Sequence, residues 1–226
     1  AQAGSCIHSV YEHLDFQRLE MLEALCDETL ARFGFEGKRW TATLTEAVTQ
    51  SLRTPLNSAG DVRLETLALT ERFDELDFTL VTASHSRGAT AKDIAEAMTR
   101  YSYSPSVKAY AEQLRRLDFD PVRGFLVGSI DLVFRHDGRF YVVDYKSNHL
   151  GRANDDYHQT AMQHAMAEHH YILQYHLYTV ALHRYLKWRI PSYNYERDVG
   201  GVYYLFLRGM SPTSGPERGV YFDQPS

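Results

Sequence analysis

Apolar residues recur every three to four positions through residues 5–33: Ile7, Val10, Tyr11 and Leu14, then Phe16, Leu19, Leu22, Leu25, Leu30 and Phe33. That spacing lines one face of a helix. It predicts helix with a break near Leu14, a second helix capped by Asp15, and an end at Gly34 and Gly37. Residues 40–53 predict another helix, closed by Pro55, and residues 56–70 show no clean period. In ERFDELDFTLVT at 71–82 the period shortens, and a strand is expected at least from Leu76. Loops are expected at 84–90 and 101–106, with helices at 91–99 and 107–117.

Two long apolar runs follow, at 123–135 and 139–146, on either side of His136-Asp137-Gly138. Asp-Gly between such runs predicts a β-hairpin. Residues 151–160 read as a polar loop. Residues 160–189 read as a long helix with a break near His169, stopped by Pro191. GGVYYLFL at 200–207 reads as a buried strand. The tail, 209–226, holds three of the seven prolines and three of the 14 glycines, and reads as loop. The order helices, strand, helices, hairpin, helix, strand predicts an α/β fold with one mixed central sheet flanked by helices. One domain is expected, with a helical part at 1–65, a core at 66–208 and a loop-rich tail at 209–226.

Composition narrows the function. The chain has 226 residues, 44% hydrophobic and 23% charged, with a net charge of −5. A protein that coats DNA passively is usually basic, because neutralised phosphates supply its affinity. An acidic balance argues against a simple binding module but not against an enzyme that gathers carboxylates around a metal. The 16 tyrosines are compatible with stacking on bases, but most read as ordinary core–surface boundary residues. Two cysteines, Cys6 and Cys26, are too few for a four-cysteine zinc or iron–sulfur site and suggest the reducing cytosol. No apolar run is long enough to span a membrane. The chain starts at Ala1 in residues that already read as helix, which suggests a piece of a longer protein. No G-x-x-x-x-G-K-[ST] occurs, so this chain carries no P-loop motor.

The chemistry concentrates at YVVDYKS, residues 141–147. Asp144 and Lys146 are two apart on a strand and share a face, with Tyr145 opposite. Pairs across the hairpin should sum to 274–275, which sets Asp131 opposite residues 143–144. Two carboxylates and an ammonium group then converge. Adjacent carboxylates repel unless a cation intervenes, and Mg²⁺ takes oxygen ligands of this kind. Six of the 11 histidines lie within 158–183, including the neighbours His169 and His170. Adjacent helical residues face apart, so that pair makes a poor zinc chelate.

Asp131, 12 intervening residues, then Asp144-Tyr145-Lys146 resembles the PD-(D/E)xK nuclease pattern. More narrowly, three stretches resemble the RecB nuclease family: GSIDLVFRHDGRFYVVDYKSNHLG, the histidine-bearing GSCIHSVYEHLDF at 4–16, and YILQYHLYTVALHRYL at 171–186. The resemblance covers nearly the whole chain. It implies a restriction-endonuclease-like core and Mg²⁺-dependent cleavage of DNA with one or two metal ions. It implies Asp131, Asp144, His8 and the Tyr145 carbonyl as metal ligands, and Lys146 acting on the water. Glu75 would assist from outside those ligands or through a second metal, although Asp77 is its rival by one residue of register. Gln174 and Tyr178, one helical turn apart, would support Lys146 and the phosphate. The family further implies single- and double-stranded DNA as substrate, RecC and RecD subunits as partners, loading of RecA, and a place in double-strand break repair. The rival readings are a nuclease-fold docking module with little activity, and an RNA-directed or structure-specific endonuclease.

Overall fold

The computed structural model describes residues 2–35, 37–82, 88–117 and 124–225. Most of the loop expected at 84–90, and residue 123 at the expected start of the first hairpin strand, lie outside the described residues. Among the described residues, five strands form one sheet: β1 (Arg72–Thr82), β2 (Gly124–His136), β3 (Arg139–Lys146), β4 (Val199–Phe206) and β5 (Val220–Asp223), in that spatial order. Only β3 and β4 pair in parallel; the other neighbours are antiparallel. The mixed sheet flanked by helices matches the expected fold class.

The β2–β3 turn is built as the sequence implies. Asp137 and Gly138 both take positive φ, 47° and 80°, the geometry of a hairpin turn whose twist suits its strands. Pairs across it sum to 275, as in Val133↔Val142. β4 is buried along its whole length, which fits a central strand covered on both faces.

Helices α1 (Gln2–His13), α2 (Leu22–Arg32) and α3 (Lys38–Arg53) cover one face. Their Val10, Tyr11, Cys26 and Leu52 form one core with Leu132, Val143, Tyr145 and Leu205. On the other face lie α4 (Ala91–Tyr101), α5 (Pro105–Leu114), α6 (Gln159–Glu168) and α7 (Tyr171–Arg189). There Tyr110, Met162, Tyr175 and Leu182 pack with Ile130, Val142 and Tyr204. A final turn, α8 (Tyr195–Asp198), leads into β4.

Two expectations need correction and one is borne out. The second helix starts at Leu22, not at Asp15; Asp15 instead accepts a hydrogen bond from the Gln17 N–H at 3.1 Å and shapes a turn. The break near His169 is real and separates α6 from α7, with His170 at φ 57°. The tail is not all loop. Its Val220–Asp223 pairs with β4 as β5, a strand so short that the surrounding prolines and glycines hide it. Among the described residues, no helix is long and apolar enough to cross a membrane.

Candidate active site

The alternation of β3 puts Val143 and Tyr145 into the α1–α3 core and turns Asp144 and Lys146 toward α7. Both charged side chains are almost fully buried. Lys146 Nζ lies 2.6 Å from Asp144 Oδ2 and donates to Gln174 Oε1 at 3.1 Å. Gln174 Nε2 donates to the Tyr178 hydroxyl at 2.8 Å. The expected partners Gln174 and Tyr178 therefore do meet Lys146, in series along one face of α7.

Asp131 sits on β2 beside the same strand end. Its Oδ2 accepts the Tyr145 backbone N–H at 2.8 Å and lies 3.4 Å from His8 Nδ1 of α1. Ligand atoms of His8, Glu75 and Asp131 all lie within 4.8 Å of one another, close enough to hold one metal ion. Asp144 is outside that trio and keeps to Lys146. The only other such group among the described residues is Asp61, His136 and Asp137 at the β2–β3 turn, where both carboxylates are exposed. Neither group includes the histidines of residues 158–183.

Glu75 reaches the trio through an irregularity. β1 pairs with β2 so that partners sum to 206, which sets Glu75 opposite Asp131, at the one position where the ladder skips a pair. Glu75 has φ 50°, in the left-handed region. The sheet alternation breaks at the same place. Ile130 and Val133, three apart, both enter the α4–α7 core, while Leu132 enters the other. Irregular strand geometry of this kind re-aims side chains beside functional sites.

The site holds more acids than cations: Glu75, Asp131 and Asp144 against Lys146. Burial, and then the charge of Asp131, push the Asp144 carboxyl up to about 7; Lys146 pulls the other way. Burial also raises Glu75, with Asp131 adding to it. For His8, burial favours the neutral ring, but hydrogen bonding to Asp131 and the charges of Asp131 and Asp144 outweigh it and raise the pKa. Asp144 Oδ2 is buried and, apart from the ion pair with Lys146, has no hydrogen-bond partner of good geometry. A divalent cation with oxygen preference fits such a donor set, since it would offset crowded carboxylates and accept one imidazole.

Two residues complete the surroundings of Lys146 without having been singled out by motif spacing. The Tyr171 ring centroid is 3.8 Å from Nζ, a cation–π contact. The Tyr204 hydroxyl donates to the same Gln174 Oε1 at 3.0 Å. A helical-face count would have found Tyr171, three residues before Gln174. Tyr204 depends on the β3–β4 register, which pairs it with Asp144.

A sheet of this topology, with acidic side chains and a lysine gathered across three neighbouring strands, is the frame of a metal-dependent nuclease. The sequence matches the PD-(D/E)XK nuclease superfamily over residues 1–224, and the chain belongs to that superfamily. In particular, it is similar to the RecBCD enzyme subunit RecB of Escherichia coli (strain K12), with 41% identity over 229 residues, covering 100% of this chain and 18% of that protein. It is 37% identical to the RecBCD enzyme subunit RecB of Haemophilus influenzae, covering 100% of this chain and 17% of that protein. The RecBCD enzyme subunit RecB of Mycolicibacterium smegmatis is 36% identical over 96% of this chain and 21% of its own length. The chain thus spans about a fifth of the length of the curated relatives it matches.

Proposed function

We propose that this chain hydrolyses DNA phosphodiester bonds with Mg²⁺, as the nuclease module of a cytoplasmic RecBCD-type helicase–nuclease acting in double-strand break repair and recombination. The observation that carries this reading is the convergence of His8, Glu75 and Asp131 beside the buried Asp144–Lys146 pair. His8, Asp131, Asp144 and the Tyr145 carbonyl would hold the metal, with Glu75 sharing the first ion or serving a second. Bound Mg²⁺ would offset charge on the phosphate and acidify water.

The chain's own residues do the rest. Lys146, fixed by Asp144, Gln174 and the Tyr171 ring, orients a water oxygen in line with the scissile bond. That oxygen gives up a proton to solvent and bonds to phosphorus as the bond to the 3′-oxygen breaks, and the 3′-oxygen takes a proton from solvent, leaving a 5′-phosphate and a 3′-hydroxyl. Gln174 and Tyr178 hold the ammonium in place and steady the phosphate. RecC- and RecD-type subunits and the RecA recombinase are the proposed partners. Under a docking reading without catalysis, the net charge of −5 would leave DNA affinity poor and cleavage absent.

The test is cleavage of circular and linear single-stranded DNA with Mg²⁺, with EDTA, and with Asp144→Ala. Loss of cleavage in the last two is expected. Equal cleavage by wild type and Asp144→Ala would remove the site assignment. Metal binding without any cleavage would favour docking.

A further inference from the structure

Beyond the reacting site, α7 carries a second feature. Gln174, Tyr178, Ala181, Tyr185 and Trp188 are spaced four, three, four and three apart, so they form one stripe along the helix. The first two belong to the active site. The last three, with Arg184, line a cleft of about 300 Å³ against β1, bounded there by Leu76–Leu80. From Tyr178 to Trp188 the helix rises about 15 Å.

The far end of this stripe has the chemistry of a nucleic-acid contact. Trp188 is 77% exposed, an unusual place for the largest apolar side chain. Arg189 stacks near it, 5.2 Å from the ring centroid to the guanidinium carbon. Arg184, Lys187 and Arg189 are all exposed. Burial, and then Lys187 and Arg184, hold down the pKa of neighbouring His183. α7 contains no Asp or Glu, in a chain whose net charge is −5. Cations at a helix C-terminus complement its dipole, but that leaves the exposed tryptophan unexplained.

We propose that the C-terminal half of α7, with its cleft against β1, is a stacking platform for single-stranded DNA. A base lies on Trp188, and Arg184, Lys187 and Arg189 take the flanking phosphates. Single strands fit because their bases are free to stack, and aromatic faces with interleaved cations bind them without sequence preference. The proposal rests on the nuclease reading only for the direction of the strand, which runs along the stripe toward Tyr178.

The experiment uses the 226-residue chain carrying Trp40→Phe, which leaves Trp188 as the one tryptophan, in EDTA with a 12-nucleotide oligo(dT). Quenching of Trp188 fluorescence is expected on titration. Trp188→Ala should raise Kd by about tenfold and Trp188→Phe should restore most of it, followed by anisotropy of a labelled strand. Lys187→Ala should lower the slope of log Kd against log salt by about 0.7. Circular dichroism confirms that each variant folds. Absent quenching, with Kd unchanged in Trp188→Ala, would overturn the platform even where cleavage is intact. Equal quenching and affinity with a duplex would overturn the single-strand preference. Quenching by a chain that cleaves nothing would uphold the platform and defeat the nuclease reading instead.

Discussion

Gln174 uses one amide for three neighbours: its oxygen accepts from Lys146 and Tyr204, and its nitrogen donates to Tyr178. Removing it frees the ammonium to swing toward Asp144 alone. Gln174→Ala should therefore lower kcat by about a hundredfold, the scale of a 1 Å misplacement, with little change in KM. Steady-state cleavage of a labelled oligonucleotide measures both. A change confined to KM would mean that Gln174 acts on the phosphate alone and does not place Lys146. Glu75 makes the opposite trade. It holds a left-handed φ that favours glycine, and it crowds Asp131. Glu75→Gly should raise metal-free stability by about 1 kcal/mol, a Tm gain of about 2–4 °C, while weakening Mg²⁺ affinity. A lower Tm would show that its carboxylate is satisfied as it stands. The resemblance favoured Glu75 over Asp77, but alternation could not have settled the choice, because strict alternation fails in this part of β1. Asp131, Asp144 and Lys146 were legible because the hairpin turn fixes their register.

At the scale of elements, legibility followed local chemistry. Asp137-Gly138 dictates its turn, and the break at His170 shows in the apolar spacing, so the hairpin and the α6–α7 boundary are readable. β5 is held by a distant partner instead. Gly201 of β4 has φ 143°, and a Cβ there would come within 2.7 Å of the Asp223 carbonyl of β5. Gly201→Ala should cost about 2 kcal/mol and lower Tm by about 4–8 °C, measured by calorimetry. An unchanged Tm would mean that β5 contributes little. α7 also carries an acid sensitivity. His176 is stacked on Tyr175 and its Nδ1 lies 2.7 Å from the Ile172 carbonyl oxygen. Burial holds its pKa below the ordinary value of 6.5. The unfolded chain therefore binds the proton more readily, and the fold loses stability as pH falls from 6.5 toward the depressed folded value. Above 6.5 this residue contributes no slope. The Tm difference between pH 7.5 and pH 5.5 should shrink in His176→Gln. An equal difference would assign the acid sensitivity to other groups.

For the whole molecule, the two cores meet at the site. α1 brings His8 from one face of the sheet, α7 brings Gln174 from the other, and the strand ends between them carry the acids. That meeting was only partly legible: the sequence implied the participants, but the long-range packing of α1 on the sheet is a property of the assembled fold. It would also make a metal bound at the proposed site a fastener between layers. An ion held by the proposed ligands on α1, β2 and β3, with Glu75 of β1 beside them, would bind the folded chain and not the unfolded one, and so would stabilise the fold. At a hundred times its Kd, Mg²⁺ should add about 2.7 kcal/mol, a Tm rise of about 5–10 °C that EDTA reverses. Asp131→Asn should abolish most of that rise, because Asp131 faces both His8 and Glu75. Asp61→Asn, in the exposed group at the β2–β3 turn, should leave it intact. If Asp61→Asn removed the shift and Asp131→Asn did not, the ion would belong at the hairpin turn. The acids at the strand ends would then need another explanation for their crowding.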